Sequence, residues 1–172
     1  MKNKYRFSAD GSRCEIFFHD GSSFLIDCED VDRISGLTWM RGKRGYPIAH
    51  TSRKLRDGVK TIPVHKLLLL PPEGYDVDHI SGDKMDNRKS NLRVCTHQQN
   101  MFNQKLRNTN NTGYYGVSFM KNCGKYEAYI NLDGRKKYLG IYDTAAEAAT
   151  ARDAAAVTLY GDYARLNAER CV

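Results

Sequence analysis

The run YDVDHISGDKMDNRKSNLRVCTHQQN, Tyr75 to Asn100, constrains the fold more than any other part of the chain. Two short stretches within it, DVDHI and NLRVC, mix apolar and polar residues and read as strands. Between them lies SGDKMDNRKS, built from Gly, Asp, Asn, Lys and Ser, whose turn chemistry makes it an irregular loop. THQQNMFNQKL follows as a helix with Thr96 at its N-cap. Strand, loop, strand and helix make a ββα unit. Upstream, TIPVH reads as a strand running into the apolar segment KLLLL, which Pro71-Pro72 stops.

The polar side chains of this unit are too varied to be turn formers alone. Asp78 offers a carboxylate, and Asn100 an amide oxygen about one turn into the helix. Both suit a divalent cation that works on phosphate, which takes hard oxygen ligands and keeps positions open for water and substrate, with Asn103 competing for the place of Asn100 if the helix register differs. His79 has no second His or Cys at a spacing that would make a zinc site. Its imidazole, with a pKa near neutrality, suits general-base work on water. Strand alternation sends Asp78 and His79 to opposite faces, so both serve one site only if the strand ends or distorts there. Ser81-Gly82 supplies the place for that break. Asn87 reads as a turn residue. His65 reads either as a strand-end histidine bonded to backbone or as a participant in the chemistry.

Charge is distributed around this centre. The chain of 172 residues carries a net charge of +7; residues 1–60 hold 12 basic and 8 acidic side chains, residues 61–104 hold 5 and 5, and residues 105–143 hold 7 and 3. Positive surface on either side of a neutral, carboxylate-containing segment fits a protein that grips a polyanion and acts on it in the middle. The longest apolar block, Leu67 to Leu70, is far short of a membrane span, and MKNKYRFSADG lacks the apolar core of a signal peptide. A cytoplasmic protein with no membrane partner is expected. Five cysteines without a CxxC pair argue against a structural zinc site or a disulfide framework.

Residues 1–60 read as β-rich. RCEIFFHD and SSFLIDC flank the turn Asp20-Gly21-Ser22, a helical piece covers about Glu29 to Ser35, and Trp39 precedes the basic turn MRGKRGY and the strand YPIAHTS. Arg41, Lys43 and Arg44, with Arg53, Lys54 and Arg56, are candidates for phosphate contact. After RNTNNTG, a run without an apolar anchor, YYGVSFM, KYEAYINL and KKYLGIY alternate as three strands separated by NCG and DGR turns. TAAE opens an Ala-rich helix with a capping box, Thr144 at N-cap and Glu147 at N3, and Gly161 marks its end.

The spacing of Val64-His65, Val77-Asp78-His79, Gly82, Asn87, Asn91-Leu92-Arg93, Thr96 and Asn100 resembles the HNH homing-type endonucleases of phages and mobile introns. The acidic segment IDCEDVD before Trp39 and Gly45-Tyr46 extends that resemblance upstream. It implies a ββα-metal nuclease in which His79 is the general base, Asp78 and Asn100 hold one Mg2+ or Mn2+, and Asn91 braces the loop and holds His79. Double-stranded DNA would be cut to a 5′-phosphate and a 3′-hydroxyl in a bacterial or phage-infected cell, and a monomer would nick one strand. Two other readings stay open: a non-catalytic DNA-binding protein on the same fold, and a nuclease acting on RNA.

GYYGV, YEAYI, YLGIYDTAAEAA and ARLN are similar to the Apetala/ethylene-response-factor DNA-binding domain of plants. That likeness places a three-stranded sheet in the major groove, backed by one helix. Strand alternation and the family pattern would turn Tyr115, Ser118, Met120, Tyr126, Tyr129, Asn131 and Lys137 to DNA. Lys121, Lys125, Arg135, Lys136 and Lys137 would bind phosphates. Tyr138 is expected to pack under the helix. The plant domains carry several arginines and tryptophans on this surface, where Ser118, Met120 and Tyr126 stand here, so their recognition sequence does not carry over. The expected class is thus α+β: a β-rich region 1–60, a ββα catalytic unit 61–107, a linker 108–112 and a DNA-binding domain 113–172.

Overall fold

The computed structural model describes residues 2–51, 61–103, 106 and 110–168, and the chain forms two units, Met1–Thr96 and His97–Val172. Arg53, Lys54 and Arg56 lie outside the described residues, as do residues 108 and 109 of the expected linker and residue 107 before it.

The first unit is built from small antiparallel sheets. Strands β1 (Tyr5–Phe7), β2 (Arg13–Phe17) and β3 (Ser23–Asp27) pair in that order. Asp20 closes the β2–β3 turn by accepting bonds from the Ser22 amide at 2.9 Å and hydroxyl at 2.6 Å. Alternation along β2 and β3 turns Cys14, Ile16, Phe24 and Ile26 inward, and each large apolar side chain so buried stabilises the fold by roughly 1.5–3 kcal/mol. The expected helix near 29–35 is a 3-10 turn, Cys28–Asp30, followed by α1 (Val31–Ile34). A second sheet joins β4 (Trp39–Arg41), β5 (Pro47–His50) and β6 (Thr61–Pro63). Trp39 is fully buried; its indole N–H donates to Ile34 O at 3.1 Å, and the Asn3 amide clamps its backbone at 2.8 and 2.9 Å.

The strand expected through TIPVH stops at Pro63, and Val64 and His65 begin helix α2 (Val64–Leu69). Pro63 has no N–H to continue a ladder, and Val64, His65 and Leu68 then bury one helical face. Strands β7 (Tyr75–His79) and β8 (Leu92–Thr96) pair from Tyr75↔Thr96 to His79↔Leu92.

The second unit opens with α3 (His97–Phe102); Thr96, expected as its N-cap, is the last residue of β8. Strands β9 (Val117–Met120), β10 (Lys125–Leu132) and β11 (Arg135–Tyr142) form a sheet in the order β11-β10-β9, and α4 (Ala145–Tyr160) packs across it. The small side chains Ala148, Ala149 and Ala156 let α4 lie close to Val117, Ala128 and Ile130. Its capping box forms as the sequence specifies: Glu147 N donates to the Thr144 hydroxyl at 3.2 Å, and Thr144 N to the Glu147 carboxylate at 3.1 Å. Tyr160 stacks on Phe102 of α3 with ring centroids 3.7 Å apart. Among the described residues no helix is long and apolar enough to cross a membrane. The described cysteines, Cys14, Cys28, Cys95 and Cys123, are free thiols.

Candidate active site

Strand β7 delivers Val77, Asp78 and His79 into buried positions and ends there. Gly82 N closes a turn onto His79 O at 2.8 Å, and Gly82 takes φ 73°, a conformation that glycine adopts without steric cost. The break that the sequence requires after Asp78 thus falls directly after His79. The following loop docks on β3: Leu25 N donates to Met85 O and Asn87 N to Leu25 O, both at 2.8 Å. Lys89 fastens its far end, donating its backbone N–H to Asp27 at 2.7 Å and pairing its ammonium with Glu29 at 2.5 Å and Asp30 at 3.1 Å. The acidic segment before Trp39 is therefore an anchor for the loop.

Alternation sends the two adjacent side chains to different partners. Asp78, 7% exposed, takes the guanidinium of its cross-strand partner Arg93, with Nη2 at 2.7 Å and Nε at 3.0 Å from Oδ2. The imidazole of His79, 4% exposed, meets His65 edge-on at 5.0 Å between centroids and Tyr46 at 5.8 Å. Its Nε2 lies 3.0 Å from Asn87 Oδ1. Burial pushes the His79 pKa below its ordinary value, against the opposing pull of the Asn87 bond and of Asp78, Asp83 and Asp86. His65 is pushed down to about 3, first by burial and then by the His79 charge. Both imidazoles are accordingly neutral at physiological pH.

Asn87 is not the plain turn residue that the sequence suggested. It is fully buried, with its amide bridging His79 Nε2 and Lys84 O, the latter at 3.1 Å. Asn91 braces the loop, accepting from Ser81 N at 2.9 Å and donating to Asp86 O at 2.8 Å. The ring of His79 is thus held by Asn87 and the loop around it by Asn91. Arg93 is a second residue without an expected role. Its signal was present in the register, since opposite charges that face each other across antiparallel strands pair.

Among the described residues, no three His, Cys, Asp or Glu side chains converge into an ion site. A divalent ion would rest on Asp78 together with amide, water and phosphate oxygens. An ionised carboxylate is the hard oxygen donor that such an ion takes, so the chemistry of Asp78 fits that use. Asn100 lies on α3 in the second unit. Arg41, Lys43 and Arg44 stand at the exposed β4–β5 turn of the first unit.

In the second unit, Ala128 and Ile130 face α4, so Glu127, Tyr129 and Asn131 lie on the opposite face of β10. Ser118 and Lys136 join them by bonding Glu127, at 3.1 and 2.8 Å. Tyr126 shares the parity of Ala128 and packs on the helix side, contrary to its expected outward position. Tyr138 reverses its expectation as well: it pairs with Tyr129 and is 56% exposed. Tyr115 is half-buried and flanked by the Arg152 and Arg165 guanidinium groups at 5.6 and 5.7 Å. Lys121, Arg135 and Lys137 are exposed, and Lys125 is paired with Asp143 at 2.8 Å.

The HNH endonuclease family profile matches residues 70–102. The chain is 30% identical over 154 residues to a protein of Acanthamoeba polyphaga mimivirus described as an uncharacterized HNH endonuclease, covering 86% of this chain and 75% of that protein. It is also 29% identical over 65 residues to Protein 3.8 of Escherichia phage T7, covering 38% of this chain and 54% of that protein.

Proposed function

Since the chain belongs to the HNH endonuclease family and is a nuclease, we propose that it hydrolyses a DNA phosphodiester with His79 as general base and Asp78 as ligand of one divalent ion. The observation that carries this reading is the buried, neutral His79 imidazole gripped at Nε2 by Asn87. Because Asn87 Nδ2 donates to Lys84 O, its Oδ1 faces the ring, and the ring answers with Nε2–H. The basic lone pair then sits on Nδ1, where it takes a proton from the attacking water. Asn91 keeps the loop in register while that happens.

Mg2+ or Mn2+, held by Asp78 and, by the family resemblance, Asn100, would when bound offset the charge on the scissile phosphate and its 3′ oxygen. The products are a 5′-phosphate and a 3′-hydroxyl, and one active site in a monomer nicks one strand. Arg41, Lys43 and Arg44 grip the duplex from the first unit. In the second unit the face bearing Ser118, Tyr129, Asn131 and Lys136 lies against double-stranded DNA, as the likeness to the ethylene-response-factor domain suggests. Lys121, Lys125, Arg135 and Lys137 take phosphates around it.

Supercoiled plasmid incubated with and without Mg2+ tests the catalytic reading. Open circles form only with the ion, and His79→Ala lowers their rate by roughly 10²- to 10⁴-fold. Equal rates for wild type and variant would remove His79 from the chemistry. Replacing Lys121 and Arg135 together by Gln should lower the salt slope of duplex binding by about 2, and an unchanged slope rejects the binding face.

A further inference from the structure

Lys84 sits in the catalytic loop between Asp83 and the nearby Asp86 and pairs with neither. Asp83 accepts instead from Met85 N at 2.9 Å, and Asp86 is held by Arg88 at 2.6 and 2.8 Å. The Lys84 ammonium turns to the β4–β5 turn, donating to Arg44 O at 2.8 Å and lying 4.3 Å from the Tyr46 ring centroid. That ring in turn packs on both histidines, 4.9 Å from His65 and 5.8 Å from His79. The loop, the basic turn and the histidine pair are thereby fixed to one another through a single aromatic side chain.

The cations around this strut lack the carboxylate partners that six others in the first unit have. There Arg6, Arg33, Lys66, Arg88, Lys89 and Arg93 each have a carboxylate within 4 Å. Among the described residues, Lys43, Arg44 and Lys84 have none, as is also true of Lys2, Lys4, Arg13 and Arg41; Lys84 differs from a solvated cation in being held by a backbone carbonyl and an aromatic ring. Holding a long cationic side chain in place costs side-chain entropy, and here no carboxylate offsets its charge. Lys84 also acts unfavourably on a protonated His65. A fixed cation of this kind is complementary to an anion brought in from outside.

We propose that Lys84, together with Lys43 and Arg44 of the turn, forms a subsite for a backbone phosphate of the DNA, and that Tyr46 is the positioning residue that locks this subsite to His79. The chain then holds a phosphate neighbouring the one it cuts, so that gripping the backbone also sets the register of the scissile bond. The placement beside the cut rests on the nuclease reading; the phosphate contact itself does not.

Two measurements on the full chain test this: the salt dependence of binding to a labelled linear duplex, and the kinetics of plasmid nicking with Mg2+. Lys84→Gln should lower the log–log salt slope by about 1 and weaken binding roughly tenfold, raising KM more than it lowers kcat. Lys84→Arg should recover most of that loss. Lys4→Gln, which removes an exposed charge elsewhere, should leave the slope unchanged. Tyr46→Leu should lower kcat more than it raises KM, and Tyr46→Phe, which keeps the aromatic face, should recover most of it. If Lys84→Gln leaves the slope intact, with or without a lower melting temperature, Lys84 is only a pin and the subsite is wrong. An equal drop in slope for Lys4→Gln overturns it too. A wild-type protein that never nicks, but whose slope falls with Lys84→Gln, would sink the nuclease reading and keep the phosphate contact. Nicking that persists beside an unchanged slope does the reverse.

Discussion

Asn87 Oδ1 lies 3.0 Å from His79 Nε2, and both side chains are buried. The amide both orients the ring and selects its tautomer. Asn87→Ala should therefore lower kcat by about 10- to 100-fold, the usual effect of removing a partner that orients an active group, while duplex binding holds. Asn87→Asp should act differently. A carboxylate at this position favours the imidazolium, so the acid limb of the pH–rate profile moves to higher pH. An unshifted limb in Asn87→Asp would mean that the Asn87 bond does not bear on the titrating group.

Asp78 is bound by Arg93 in a pair whose side chains are only 8% and 17% exposed. Removing the cation takes from a buried carboxylate the guanidinium that faces it. Arg93→Met should destabilise the first unit by about 3 kcal/mol in urea unfolding, more than an exposed ion pair contributes. Asp78→Asn removes the charge that an ion requires and leaves Arg93 facing a neutral acceptor, so it should abolish Mg2+-dependent nicking and also lower the unfolding midpoint, though by less than Arg93→Met because the amide oxygen keeps a hydrogen bond. A stable Arg93→Met protein would show that solvent reaches Asp78 freely.

Much of this site was legible because strand alternation, turn chemistry and the N-terminal capping box are local signals. Asp78, His79 and the end of β7 follow from a few consecutive residues. Asn87 was not legible, because its burial depends on the loop docking against Leu25, more than 60 positions away, and turn residues look alike until such a contact forms. Val64 and His65 were read as strand because a short apolar run carries no period of its own; Pro63 decided the matter by ending the ladder. In the second unit, alternation yields two faces without saying which one meets the helix. The parity of Ala128, a small residue suited to an Ala-rich helix, identifies the inner face and carries Tyr126 with it.

His65 makes stability depend on pH. Its folded-state pKa is about 3 against an ordinary 6.5, so between those values the unfolded chain binds a proton that the native state refuses. Stability is full above about pH 6.5 and falls as the pH drops towards 3, by at most about 1.4 kcal/mol per pH unit. The depressed pKa of His79 acts in the same direction. Urea midpoints measured down this range should decline for wild type and decline less for His65→Phe. Parallel curves would mean that His65 does not titrate differently on folding.

Gly116 tests whether the second unit's sheet is as tightly built as its helix contacts require. Its φ is +63°, its carbonyl accepts from Tyr129 N at 2.8 Å, and an added Cβ would stand 2.2 Å from Tyr129 O and 2.8 Å from Arg152 Cγ. Gly116→Ala therefore incurs left-handed strain of about 1–2 kcal/mol and a backbone overlap costing roughly 1–3 kcal/mol more. The overlap falls on the junction of β9 and β10, at the edge of the face proposed to meet DNA. Hydrogen exchange should lose protection across β9 and β10 while β7 and β8 keep theirs, and the salt slope of duplex binding should fall. Destabilisation without any change in slope would separate the sheet from DNA binding. Full protection in Gly116→Ala would mean that the β9–β10 junction yields readily enough to accept a side chain.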